Sequence, residues 1–242
     1  MGSGPMRCFV GLSSAYSNFV TARLERHAAA IEVAHRNSNL QLLLALATLH
    51  DAVDASLADK ASGARENLGA GLDQLHASND HLTALGDGLV RLRSDLFESD
   101  VDPAEPLLAR EPFFASMDYD TLYRQLAAHG AVLPHRTFWD DVVSRMRDGG
   151  ARGAFRLLER HLRNLQSDLR ALIAEVETAG RLQGRALGEA LHDTGIPVAR
   201  VMTGFTRLIT TFSYVSICCD RAMREYEQVT TCPAAPQTLA AS

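Results

Sequence analysis

The stretch LGAGLDQLHASNDHLTALGDGLVRLRSDL, residues 68–96, decides the fold class of this chain. Leucines recur in it at every seventh position, and further leucines fill the neighbouring row of the helix surface. The main row is Leu68, Leu75, Leu82, Leu89 and Leu96. Apolar residues repeated at this interval form the seam between two packed helices. The stretch therefore predicts a long helix with a helical partner.

Other parts of the chain show related patterns. A second heptad row consists of Leu158, Leu165 and Leu172. From residue 13 to about 57, apolar residues recur every three or four positions, which places them on one helix face. The polar run 37–39 lies inside that helix, and Asn and Ser compete for backbone hydrogen bonds. The sequence leaves open whether the helix continues through the run or breaks there.

Composition agrees with a helical fold. The chain has 33 Leu against 19 Val plus Ile, and straight-chain residues lose less side-chain freedom in a helix than β-branched ones. A β-sandwich or β-barrel is excluded on this ground. We expect an all-α bundle of about four long amphipathic, coiled-coil-like helices, with two or three short helices in the middle.

The predicted organisation has five parts. Residues 1–12 are interpreted as a tag remnant or a disordered N-terminus, and 13–99 as a half made of long helices. Residues 100–117 are a proline-rich acidic connection. Residues 118–227 form a second helical half that packs on the first. It begins with a short helix capped by Asp118, and Gly149 and Gly150 end a second short helix. Residues 228–242 are expected to be a disordered tail.

Four glycines interrupt the first leucine seam in two similar units, Leu68-Gly-Ala-Gly and Leu85-Gly-Asp-Gly. A glycine inside a helix costs about 1 kcal/mol relative to alanine. Close approach between helices, or a local kink, explains this pattern better than a phosphate-binding loop, because no strand precedes the glycines and no Lys-Ser/Thr follows them.

Charge and cysteine content restrict the partners and the compartment. The net charge is −5, so nucleic acid is not an expected partner. Cys8, Cys218, Cys219 and Cys232 have neither metal-site nor disulfide-scaffold spacing. We expect a reducing compartment, the cytoplasm, with an organellar matrix as the alternative. No cofactor is predicted.

The function expected from these patterns is non-enzymatic protein binding, as an adaptor, a scaffold or an oligomerisation module. The partner would be another protein or a second copy of the chain. Aromatic residues concentrate in the middle of the sequence and either close one end of the bundle or form a docking surface for the partner. They are Phe113, Phe114, Tyr119, Tyr123, Phe138 and Trp139.

An alternative from another functional class is a di-metal oxidoreductase. Two Glu-x-x-His pairs, Glu32 with His35 and Glu189 with His192, each place a carboxylate and an imidazole on one helix face. Carboxylate-bridged di-iron bundles use two such pairs together with two further glutamates. The four residues are therefore the candidate metal ligands.

The run from His192 to Leu208, which begins His-Asp-Thr-Gly-Ile-Pro, resembles the phosphoacceptor segment of sensor histidine kinases. In that family the histidine is followed by an acidic residue and, five positions on, by proline. The resemblance covers about seventeen residues, and no glycine-rich nucleotide-binding segment follows. It implies that His192 accepts a phosphoryl group from the kinase domain of another protein, with Asp193 as the assisting acid.

A further alternative is a helical dimer on a membrane surface, although we do not favour it. Its basis is a dense basic strip that could face anionic lipid. The strip consists of Arg145, Arg147, Arg152, Arg156, Arg160 and Arg163.

The leucine seams make a direct prediction. Leu75→Asp and Leu165→Asp each place a charge in an apolar seam, so each should lower the melting temperature or dissociate an oligomer. Circular dichroism melts measure this effect. A shift of less than about 2 degrees in both variants would contradict the seam assignment, because surface substitutions have effects of that size.

Overall fold

The computed structural model describes the backbone of residues 4–97, 117–128 and 136–231, and the side chains of most of residues 27–94, 117–128 and 136–215. The described backbone contains six helices and no strand, which confirms the all-α class. The helices are α1 (Gly4–Leu57), α2 (Ala61–Phe97), α3 (Tyr119–Ala128), α4 (Arg136–Ala179), α5 (Gly184–His192) and α6 (Gly195–Thr231).

Four long helices form an antiparallel bundle. The most extensive contact joins α1 to α2, followed by that between α4 and α6; α2 also packs on α4, and α1 on α6. The short helix α5 packs mainly on α1. No comparable contact joins α1 to α4 in the described part of the chain. These contacts place α1 and α4 at opposite corners of the bundle.

The polar run 37–39 does not interrupt α1. Ser38 is buried against Ser78 of α2, and each hydroxyl donates to the backbone carbonyl of the other residue, at 2.7 Å from Ser38 and 2.9 Å from Ser78. The hydroxyls therefore bond to the neighbouring helix and do not compete for the hydrogen bonds of their own helix. Helix α1 is continuous, which settles the alternative that the sequence left open.

Glycines of α2 allow its neighbours to come close. A Cβ on Gly71 would lie 2.8 Å from Leu49 Cδ2, and one on Gly88 would lie 3.1 Å from Ile31 Cγ1. A Cβ on Gly86 would be 3.1 Å from Leu162 Cδ2 in α4. Close helix approach, as expected, accounts for three of the four glycines; Gly69 faces open space.

The seam leucines with described side chains lie in the core. Leu75, Leu82, Leu158, Leu165 and Leu172 are fully buried, and Leu68 and Leu89 are nearly so. The side chain of Leu96 lies outside the described residues. Both heptad rows therefore face the interior of the bundle formed by this one chain.

Helix α4 consists of two helical segments joined by a bend. Gly149 and Gly150 are non-helical, and Gly150 has φ 54°, in the left-handed region that favours glycine. A Cβ on Gly153 would lie 2.3 Å from the backbone oxygen of Arg145. Asp141 approaches Arg160 to 3.8 Å across the bend. The first segment therefore folds back on the second, and the helix end predicted at Gly149 and Gly150 is a sharp turn.

The segment boundaries differ from the prediction at both ends of the chain. Helix α1 begins at Gly4, within the stretch 1–12 expected to be disordered; Pro5 lies in the first turn, where a helix tolerates proline. Helix α6 continues to Thr231, past the expected start of the tail at residue 228. Residues 98–116 contain nearly all of the predicted connection and lie outside the described residues.

The predicted cap of α3 is present. The amide and hydroxyl of Thr121 donate to the two carboxylate oxygens of Asp118, at 3.0 and 2.6 Å. These bonds satisfy one of the free amides at the helix N-terminus. They also lower the pKa of Asp118.

Two alanine substitutions test the geometry of the bend in α4. Gly153→Ala should lower the free energy of unfolding by about 1–3 kcal/mol, because its Cβ meets a backbone atom that cannot move alone. Gly149→Ala should change it by less than about 0.5 kcal/mol, since a Cβ there has no neighbour within 4 Å. Urea unfolding at one protein concentration measures both, and equal losses would contradict the geometry of the bend.

Candidate partner-binding surface

The outer face of α1 carries an apolar stripe. Val33, Leu40, Leu43 and Leu44 expose 50, 51, 46 and 43% of their surface, and the neighbouring Ala47 is also exposed. We call these five residues the α1 stripe. They supply four of the eight exposed large hydrophobic side chains among the described residues. A contiguous exposed apolar patch of this kind is typical of an interaction site.

The stripe arises because α1 is apolar on two sides. Its inner side buries Ile31, Ser38, Leu42, Ala45 and Leu49. The Ser38–Ser78 hydrogen bonds fix the rotation of α1 about its axis, since they join one position of each helix. With that rotation fixed, the side chains of the stripe point away from α2.

Charges of opposite sign flank the α1 stripe. Arg36 lies towards its N-terminal end, whereas Asp51 and Asp54 lie towards its C-terminal end, and all three are exposed. Asp54 Oδ2 is 4.0 Å from His50 Nε2 one turn earlier. Arg36 and Asp51 have no ion-pair partner among the described residues. The stripe is therefore an apolar centre with a basic end and an acidic end.

The stripe belongs to the segment His27–Leu57, which is long and apolar enough to span a membrane by length and composition alone. It is the only such segment among the described residues. Core helices of bundles satisfy the same criterion, and α1 packs against α2 and α6.

The predicted aromatic docking surface is wrong for two of its members. Tyr119 and Trp139 are buried, and Tyr123 is half-buried. The Trp139 ring lies 4.7 Å from that of Tyr214 and 5.4 Å from that of Tyr123, centroid to centroid. These ring contacts join α3, the first segment of α4 and α6 in one aromatic cluster. Phe113, Phe114 and the side chain of Phe138 lie outside the described residues.

Tyr214 belongs to this aromatic cluster, although it was not among the residues predicted from the sequence. Burial and the neighbouring Tyr123 raise the pKa of Tyr214 to about 12. Trp139 Nε1 and Tyr214 Oη have no hydrogen-bond partner among the described residues. No sequence signal marked Tyr214, which lies in a helix with many apolar residues.

The structure does not bring the two Glu-x-x-His pairs together. Gly188 of α5 packs near Ser56 and Leu57, at the C-terminal end of α1. His35 lies about 20 residues earlier in α1, which is about 30 Å along the helix. Glu32 and Glu189 are exposed, and Glu189 accepts a 2.8 Å hydrogen bond from Arg185. The predicted shared metal site is therefore wrong, because the packing of α5 separates its halves.

His35 has a structural environment of its own. Its Nε2–H donates to the backbone oxygen of Phe205 at 3.3 Å, and its ring meets the Phe205 ring edge-on. Burial between α1 and α6 lowers the pKa of His35, and the hydrogen bond to Phe205 opposes this effect in part. Within the described residues no three His, Cys, Asp or Glu side chains form a group that could hold a metal ion.

His192 is exposed at the last residue of α5, next to the exposed Asp193. The turn at Asp193 and Thr194 separates α5 from α6, so the segment that resembles a phosphoacceptor site spans two helices. The role of His192 as a phosphoacceptor stays a prediction.

The basic strip lies on the exposed surface of α4. All six arginines are exposed. Arg160 approaches Asp141, and the Arg147 guanidinium lies 5.3 Å from the ring centre of Tyr119. The strip and the α1 stripe occupy helices at opposite corners of the bundle.

A groove of about 960 Å³ is lined by both segments of α4 and by α6. Arg160, His161, Arg200 and Arg207 line it together with Asp141, Asp168 and several threonines. Burial, and then the Arg160 and Arg207 charges, lower the pKa of His161. The sequence does not reveal this groove, because arginines at helical spacing are typical of any solvated helix face. Its acidic and basic side chains are mixed, so it does not favour ligands of one charge.

The chain matches no protein-family model, and no curated protein or solved structure is detectably similar to it.

Burial of His35 predicts a pH dependence of stability. The unfolded chain binds a proton at the ordinary histidine pKa of about 6.5, whereas the folded chain binds it only at lower pH. His35 therefore stabilises the fold above that value, and this contribution is lost as the pH falls from about 7.5 to 5.5. The urea midpoint should fall over this range, and His35→Gln should reduce the fall. An unchanged slope in His35→Gln would contradict the prediction.

Proposed function

We propose that the protein acts by binding a protein partner through the α1 stripe, as an adaptor or oligomerisation module. The observation that carries this proposal is the exposure of Val33, Leu40, Leu43 and Leu44 in one patch. Burying such side chains in an interface is favourable by about 25 cal/mol per Å² of apolar surface. A bundle helix with one side in the core and an apolar opposite side is suited to receive a further helix.

A membrane surface is the alternative occupant of the stripe, and the arrangement of charges disfavours it. Interfacial helices combine an apolar face with basic residues beside it, which attract anionic lipid. The α1 stripe has Asp51 and Asp54 at one end, and the basic strip of α4 lies at the opposite corner of the bundle. One membrane plane cannot contact both surfaces.

Photocrosslinking from the stripe tests the proposal. A benzophenone amino acid replaces Leu44 in the full chain, and irradiated cells that make the protein yield adducts whose masses identify the neighbour. We expect a protein adduct at Leu44. Leu40→Glu should remove it, because a charge in the stripe opposes burial, while the far-UV circular dichroism stays unchanged.

The matched control carries the same amino acid at Ala84, an exposed position of α2. It should give no discrete adduct. A lipid adduct at Leu44, or a yield no higher than that at Ala84, would contradict the proposal.

A further inference from the structure

We propose that the partner of the α1 stripe is a second copy of this chain, packed in antiparallel orientation on the same stripe. This inference rests on the proposed function and adds to it the identity of the partner and the register of the contact. It depends on how charge is distributed along the stripe.

The charged residues that flank the α1 stripe lie on the same face of the helix. At 100° per residue, Arg36, Asp51 and Asp54 each fall within about 60° of Leu40 around the helix axis. All three are exposed, and they are the charged side chains of this face between residues 33 and 54. Any helix that covers the apolar centre therefore meets a basic group at one end and two acidic groups at the other.

This order of charges along α1 favours the antiparallel orientation of two α1 helices. Two parallel copies would place Arg36 near Arg36 and the aspartates near each other, and like charges at an interface are unfavourable. Two antiparallel copies centred near Leu44 place Arg36 opposite position 52. The Arg36 side chain then lies within one helical turn of the partner's Asp51 and the partner's Asp54.

In a symmetric dimer the pairing of Arg36 with the aspartates occurs twice. A two-fold interface uses the same patch on both copies, so each contact occurs twice. Arg36 of each copy then meets the acidic end of the other copy. Each end of the interface therefore has one arginine beside two aspartates. Because these charges are exposed, salt should weaken the interaction.

The apolar centre fits the same register. Leu43 and Leu44 meet near the two-fold axis, and Leu40 falls next to the partner's Ala47. A large side chain opposite a small one allows two helices to interdigitate. Among the described helices, α2, α5 and α6 pack on α1, and the residues of the α1 stripe stay exposed beside them.

Charge reversal tests this register. Sedimentation equilibrium of the purified full chain measures the dimer dissociation constant for the parent and three variants: Arg36→Glu, the pair Asp51→Arg with Asp54→Arg, and all three together. All three positions are exposed, so the variants should fold. The first two variants should raise the dimer dissociation constant at least about tenfold. The triple variant should restore it to within about threefold of the parent value.

The control is Arg91→Glu, which makes the same charge change on the exposed side of α2. It should leave the dissociation constant unchanged, and 0.5 M salt should raise the constant of the parent. A triple variant no tighter than the single reversals would overturn the register. A parent that stays monomeric at about 100 μM would overturn the dimer.

The outcomes separate this inference from the proposed function. If the parent is monomeric while Leu44 crosslinks to a different protein in cells, the second copy is rejected and protein binding stands. If the parent is monomeric and instead binds vesicles of phosphatidylcholine with phosphatidylserine through the stripe, both the dimer and the proposed protein-binding function are rejected.

Discussion

The close contact of α1 with α2 at Ser38 and Ser78 is the constraint on which the rest of the structure depends. Each serine hydroxyl donates to a carbonyl of the opposite helix, which requires the two backbones to be near each other. Gly71 and Gly88 permit the same approach on either side of this point. Turning α1 to bury Leu43 and Leu44 would break these hydrogen bonds and leave buried polar groups unpaired, at a cost of about 1–3 kcal/mol each. The leucines on the outer face of α1 are therefore exposed as a consequence of how its inner face packs.

A second region of the bundle depends on the turn at Gly149 and Gly150. This turn reverses the chain, so that the first segment of α4 packs back against the second. Trp139 is thereby placed against Tyr214 and Tyr123. Tyr119 and Trp139 thus belong to the core, with Tyr123 packed beside them. This removes Tyr119 and Trp139 as binding candidates, and α1 has the largest group of exposed apolar side chains among the described residues.

Sequence patterns predicted the helical class and the buried leucine rows, because seven-residue spacing has one simple structural explanation. They also indicated close helix approach or a kink at the glycines, because a glycine inside a helix is costly unless the structure requires it. They did not reveal the α1 stripe, since α1 has apolar residues on two sides and periodicity does not show which side a neighbour covers. The metal interpretation failed because spacing within a helix says nothing about where another helix lies, and His35 and His192 are on helices that pack at different heights. The folding back of α4 depends on the contact at Gly153, which no local motif records.

The central claim is that one side of α1 is held by α2 while the opposite side is apolar and available to a partner. A cysteine-accessibility scan tests it most directly, with single cysteines at positions 38 to 47 in a chain whose four native cysteines are replaced by serine. Maleimide labelling of the dilute, folded protein should be slow at positions 38, 42 and 45 and fast at 40, 43, 44 and 47, with a helical period. Uniform labelling along α1, or fast labelling at 38, 42 and 45 with slow labelling at 40, 43 and 44, would contradict the account.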